Sequence, residues 1–472
     1  MNPLGSIGEA AAELRSGRLT SVELVFGCLE RMDRHEASLG AVVGRRDDAA
    51  LAAAALADRE LGSGHDRGPL HGIPIGIKDV LATADGPTTA QSLAMLPGYQ
   101  GVDSAAAERL RAAGAVIVAK AACSEFACGT PDETLPFRFP RNPWDAERWA
   151  GGSSGGSASG LHAGFFLGAV GTDTGGSIRA PAAFCGITGL KPTFGAVSRH
   201  GCVPLSDSMD HVGPMARTAA DCAILLAALA GEDPRDAATL GFRGGDYPAA
   251  LSGDLTGLTV GVDGNFHARV GVPGGMLALF DAAVSVLESA GARVVEVELP
   301  FPRELYAAVR VVMAAEAFEV HRANLQQRWD RYGRPTRLSL SKGAFIDGAD
   351  YVRASRIVAR SRGLYAEALA GIDLVASPTC PIVACRFEEI GTAEIGTAVV
   401  TSAPLLTTQW NGLGMPAISV PMGMLDAPGA DNGLPVGLQL AGARGQDALV
   451  LRAADAYQRR TGWHAITPDR FS

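Results

Sequence analysis

A chain of 472 residues, 47% apolar and 19% charged, can bury a large core and is too apolar to be intrinsically disordered. Its net charge of −9 lacks the basic footprint of a nucleic-acid binder. No window approaches 18 uninterrupted apolar residues, and the N-terminal stretch MNPLGSIGEAAAELRSG has no apolar secretory segment. These features predict a cytoplasmic protein with no membrane or nucleic-acid partner.

Thr20-Ser-Val-Glu23 is a capping box opening an amphipathic helix to about residue 35, and an alanine-rich helix follows over roughly 47–61. HGIPIGIKDV (71–80) alternates Ile73, Ile75 and Ile77 and predicts a strand ending at Lys78-Asp79. Residues 104–120 read as a helix, a glycine stop and a strand; FFLGAVGTD (165–173) reads as a buried strand feeding a glycine turn. A capped helix is expected over 218–231, with Gly231 at its C-terminus, then a β-α-β unit over 258–299. Long helices are predicted over 303–331 and 350–370, strands at 373–381, 417–423 and 436–442, and a last helix over 446–460. Length alone favours two or three domains. The unbroken alternation of strands and helices argues instead for one large α/β sheet covered on both faces. The charged, aromatic stretch around 300–345 is read as an insertion or lid.

The eight cysteines form no CxxC pair and lack histidines at zinc-ligand offsets, so they read as reduced core thiols. Only four of the 41 basic residues are lysines: 78, 120, 191 and 342. A buried lysine can lose its proton and act as a base, which arginine cannot do.

Two glycine-serine runs lie close together: GGSSGGSASG (151–160) and GTDTGGSIR (171–179). The first has the composition of a linker, but structured segments continue on both sides. GGSSG also fits the G-x-S-x-G elbow of α/β-hydrolases, yet no histidine has a telling context. Asp173-Thr-Gly lacks the second carboxylate an aspartic protease requires. Ser339-Leu-Ser-Lys342 lacks the Lys-Thr-Gly of penicillin-recognising enzymes. Acyl transfer fits better. Thr174, Gly175, Gly176 and Ser177 offer successive backbone N–H groups before a helix opened by Ile178-Arg179. Ser177 is then the nucleophile within its own oxyanion hole. Lys78, at a strand end in apolar surroundings, is the candidate base, its proton relayed by a hydroxyl of 151–160. Spacing alone does not separate Ser153 from Ser154.

Residues 151–195, from GGSSGG to PTFG, closely resemble the defining segment of the amidase signature family. IPIGIKDV (73–80) is similar to that family's lysine segment, RNPWD (141–145) to its lead-in, and NGLGMPAISVP (411–421) with LPVGLQLAG (434–442) to its C-terminal strands. The resemblance implies one amidase domain over 1–472, with a core at about 70–220 and a helical insertion or lid at about 300–370. It implies a single mixed, mostly parallel-type sheet with helices on both faces. It also implies a Ser–cis-Ser–Lys triad of Ser177, Ser153 and Lys78, supported by Ser154, Asp173 and Arg179, with no metal or organic cofactor.

The same family contains free-standing amidases and the glutaminase subunit of tRNA-dependent amidotransferases. The latter hold glutamine's ammonium with an acidic residue shortly before the segment that here reads Asn411-Gly-Leu-Gly-Met-Pro416. Residues 395–425 contain no Asp, Glu, Lys or Arg. An uncharged wall suits an apolar guest. The expectation is therefore a hydrolase of a small apolar or aromatic amide, anilide or carbamate, working on its small-molecule substrate alone or as a homodimer. The amidotransferase subunit is the alternative. Phe126, Gly129, Phe137 and Phe139, in a stretch that departs from the family pattern, are expected to shape the substrate entrance.

Overall fold

The computed structural model describes residues 5–390 and 405–471. Among them, eleven strands form one mixed sheet: β1 (Val42–Arg45), β2 (Pro74–Lys78), β3 (Val116–Ala121), β4 (Gly168–Asp173), β5 (Thr188–Lys191), β6 (His211–Ala216), β7 (Thr259–Val262), β8 (Arg293–Glu296), β9 (Leu374–Pro378), β10 (Ala417–Ala427) and β11 (Ala430–Gly442). They lie in the order β1-β3-β2-β4-β6-β5-β10-β11-β9-β7-β8. Pairing is parallel where β2 meets β3 and β4, and where β7 meets β8 and β9. Every other pairing is antiparallel, including the whole centre from β4 to β9. The mostly parallel pairing expected from the alternation thus holds at two places only. The expected elements do not include β1, β5 or β6; in β6, Gly213-Pro214 hides a central strand behind residues typical of turns.

Successive residues of one strand feed separate cores. In β3, Val116 and Val118 pack in one apolar cluster while Ile117 joins the other, as the two-residue period of a strand requires. The capping box at Thr20 forms as expected and opens the helix Ser21–Leu39. No helix among the described residues is long and apolar enough to cross a membrane. All eight cysteines are free, and seven are buried.

The largest departure from expectation is in the glycine-serine run. Only its first residues are loop; Gly155–His162 is a helix with every residue buried. Its glycines serve close packing. A Cβ on Gly156 would lie 2.4 Å from the Ala122 nitrogen and the Ala41 carbonyl oxygen, so only hydrogen fits there.

Candidate active site

Lys78 ends β2, and β4 beside it ends in Thr172-Asp173, so the parallel pairing of the two strands sets the lysine beside the turn that follows β4. The Lys78 side chain is fully buried, and its Nζ donates to Ser153 Oγ and to Thr172 Oγ1, both at 2.7 Å. Burial lowers the ammonium from its ordinary 10.5 to about 8, against opposing charge from Cys123, Cys202, Asp173 and Asp210. Burial also pushes both thiols up to about 12, so they are neutral near pH 8 and only the carboxylates oppose the shift. Three of the four lysines, 78, 120 and 191, are buried, and burial depresses each of them.

The loops carrying the two serines are stitched backbone to backbone. Ser154 N–H donates to the Ser177 carbonyl, and Ser124 N–H to the Ser153 carbonyl, each at 3.1 Å. The Gly152–Ser153 peptide is cis. Ser154 turns away from the lysine: its hydroxyl donates to the Thr172 carbonyl and accepts from the Thr172 N–H. The structure therefore separates the two serines that spacing could not. Ser177 is half-exposed, and its hydroxyl has no hydrogen-bond partner among the described residues.

Asp173 organises the turn from beneath. Its carboxylate accepts from Gly176 N–H (2.7 Å) and Ile178 N–H (3.1 Å), from Arg179 Nε and Nη2 (both 3.0 Å), and from Asn411 Nδ2 (2.8 Å). Burial alone would raise this carboxyl; the Arg179 charge and these hydrogen bonds hold it far below the usual range. Arg179, itself fully buried, also donates to Asn411 Oδ1, Gln439 Oε1 and the Thr407 carbonyl. Gly176 takes a positive φ of 125°, and a Cβ there would meet Thr407 Oγ1 at 2.5 Å. One expected oxyanion donor is thus already engaged: the Gly176 N–H belongs to Asp173. The N–H groups of Gly175 and Ser177 have no partner among the described residues, while Thr407 and Thr408 hydroxyls fix the Gly175 carbonyl at 2.7 and 3.1 Å. Thr174 Oγ1 donates to the buried Asp210 at 2.6 Å.

These groups face a cavity of about 360 Å³, lined by Gly129, Trp149, Ser153, Thr174–Ser177, Phe184 and Leu205. Helices of the 300–345 stretch close it: Pro302–Arg328 contributes Arg310, Met313, Ala314 and Ala317, and Arg334–Ser341 contributes Leu338, Ser339 and Leu340. Two carboxylates tie this wall to its surroundings. Buried Glu125 accepts from Ser92 Oγ (2.5 Å) and Gly333 N–H (2.9 Å). Glu316 accepts from Ser206 Oγ (2.5 Å), Ser208 Oγ (2.8 Å) and Tyr351 hydroxyl (3.0 Å).

Of the residues expected at the entrance, only Gly129 lines this cavity. Phe126 is fully buried, stacked edge-on against His321 with 4.5 Å between ring centres. Phe137 and Phe139 border a separate, smaller recess, and Phe139 packs on Phe387. Bulky residues in this loop fill space beside the core rather than beside Ser177. The wall is also not uncharged. Residues 395–404 lie outside the described residues, and of 405–425 only Thr407 and Thr408 reach the cavity, whereas Arg310 and Lys342 bring charge from a distant part of the chain. Sequence reasoning missed Thr172, the second hydroxyl on the lysine; its only signal was a polar side chain within the apolar run leading to Asp173.

The Amidase family model matches residues 23–451. The chain belongs to the amidase signature family. Its relatives include the A subunit of the glutamyl-tRNA(Gln) amidotransferase of Chloroflexus aggregans, 38% identical over 98% of each chain. The structure of the corresponding protein from Thermotoga maritima superposes with a TM-score of 0.81 at 30% identity, covering 99% of this chain and 98% of that one. A protein from a vestigial complex bearing on the origins of an s-triazine catabolic enzyme superposes at 0.88, with 30% identity over 97% and 98%. These findings overturn the expectation of a free-standing hydrolase of a small apolar amide. They equally overturn the exclusion of nucleic acid and of further partners, because the curated relatives match end to end and are subunits of an enzyme named for a charged tRNA. Composition failed here for a physical reason. Net charge sums the whole surface and does not report on any one face of it.

Proposed function

We propose that the chain is the glutaminase subunit of a tRNA-dependent amidotransferase, releasing ammonia from glutamine for partner subunits that amidate glutamyl-tRNA. The observation that carries this reading is the end-to-end similarity to amidotransferase subunits of the same kind, 38% identical with almost no unmatched residue at either side. The geometry of Lys78, Ser153 and Ser177 supplies its chemistry. Neutral Lys78 takes a proton from Ser153, which takes one from Ser177, as Ser177 Oγ attacks the side-chain carboxamide carbon. The N–H groups of Gly175 and Ser177 receive the developing oxyanion. The C–N bond breaks as the relay returns its proton to nitrogen, and ammonia leaves. Water, deprotonated through the same relay, then hydrolyses the γ-glutamyl ester of Ser177 to give glutamate and the free serine.

Asp173 and Arg179 act as positioning residues. Their pairing holds the turn that carries the Ser177 hydroxyl and the N–H groups of Gly175 and Ser177. The test is reconstitution with partner subunits, glutamyl-tRNA, ATP and glutamine. Formation of glutaminyl-tRNA, lost on Ser177→Ala and rescued by added ammonia, is the expected outcome. Glutamine hydrolysis that never yields glutaminyl-tRNA would refute the amidotransferase assignment.

A further inference from the structure

We propose that Arg310 recognises a carboxylate on the acyl part of the substrate, and so sets which amides reach Ser177. This rests on the reading of Ser177 as the acyl acceptor. In the helix Pro302–Arg328, Leu305, Ala308, Val309 and Val312 are buried toward the core, while Arg310, Met313, Ala314 and Ala317 form the stripe that lines the cavity. Helical periodicity therefore presents Arg310 to the same space as Ser153 and Ser177. Its guanidinium is half-buried and has no hydrogen-bond or ion-pair partner among the described residues. Most other arginines near the site are engaged: Arg179 with Asp173, Arg148 with Asp145, Arg199 with Asp236.

No Asp or Glu is among the described residues lining the cavity; Arg310 and the exposed Lys342 at its rim are the charged ones. The remaining wall is mostly apolar, built by Trp149, Phe184, Leu205, Met313, Leu338 and Ile382. The half-buried guanidinium, with no carboxylate beside it, is placed to meet an anion that enters the cavity. The planar fork of arginine matches a carboxylate through two parallel N–H···O bonds, which a point charge does not reproduce. The cavity, about 360 Å³, takes an amide of a few carbons with a terminal carboxylate.

The experiment compares two amides of equal length: glutaramate, which carries a carboxylate, and pentanamide, which does not. Ammonia release is followed for the chain alone and with its partner subunits, ATP and glutamyl-tRNA, and the ratio of kcat/KM values is the readout. Wild type is expected to favour glutaramate by about 100-fold, the scale of a charge pair formed out of water. Arg310→Met brings the ratio near one, and Arg310→Lys restores part of it. A wild-type ratio near one overturns the proposal, as does a ratio unchanged by Arg310→Met or failure to turn over glutaramate under both conditions. An Arg310-dependent ratio without formation of glutaminyl-tRNA would sustain this assignment while removing the amidotransferase reading.

Discussion

The buried amine of Lys78 makes a quantitative prediction. With the group at about 8, roughly one amine in ten is neutral at pH 7 and about nine in ten at pH 9, so kcat/KM should climb about tenfold between them and then level. Lys78→Arg places a permanently charged guanidinium against Ser153 and Thr172; activity should fall by about four orders of magnitude and lose its pH slope. Stability moves with the same proton. Below pH 8 folded and unfolded chains both hold it, and the folded chain bears the cost of a buried charge. Between about 8 and 10.5 the unfolded chain keeps a proton that the folded chain has released, so this group makes stability rise with pH. The shift from 10.5 to about 8 corresponds to about 3 kcal/mol. Lys78→Met removes that cost, offset in part by two hydroxyls losing a partner. Its stability relative to wild type should therefore be greatest near pH 7 and decline toward pH 10.5. Urea unfolding at a series of pH values, beside ammonia release over the same range, measures both. A flat rate profile from pH 6 to 9, or a stability difference between variant and wild type that does not change with pH, would refute the reasoning.

Three further outcomes are expected. Ser177→Ala should abolish ammonia release while moving the melting temperature by no more than about 2 °C, because the hydroxyl makes no hydrogen bond among the described residues; a large drop in melting temperature would mean that Ser177 is structural. Asp173→Asn breaks a fully buried ion pair and weakens the anchors on Gly176 and Ile178, so calorimetry should show a loss of about 3–5 kcal/mol, together with loss of turnover. Gly156→Ala puts a methyl 2.4 Å from backbone atoms of Ala122 and Ala41, and should leave little folded protein by circular dichroism and gel filtration.

Much of this molecule is legible in its sequence. The capped helix after Thr20, the alternating strand ending at Lys78 and the glycine turn after Asp173 each follow from local chemistry, and each forms. The resemblance to the amidase signature points to the same residues that the strands bring together. What escapes is tertiary. Gly155–His162 is helical because its glycines fit a crowded interior, and propensity cannot see that crowding. β6 is a strand despite Gly213-Pro214 because β4 and β5 flank it. The cavity's charge comes from Arg310 and Lys342, which lie far along the chain from Ser177, so reading the sequence around the serines could not reveal it.

The chemical centre and the chamber in front of it are built by different stretches of polypeptide. Lys78 and the turn carrying Ser177 follow neighbouring strands, with Ser153 on the loop before Gly155–His162; the opposite side rides on helices that bury Leu305, Val309 and Val312 in the core and are tied to nearby loops by Glu125 and Glu316. Natural variation in those helices can retune which guests are admitted while leaving bond cleavage intact. Proteins sharing this architecture can thereby diverge in diet while keeping a common way of cutting.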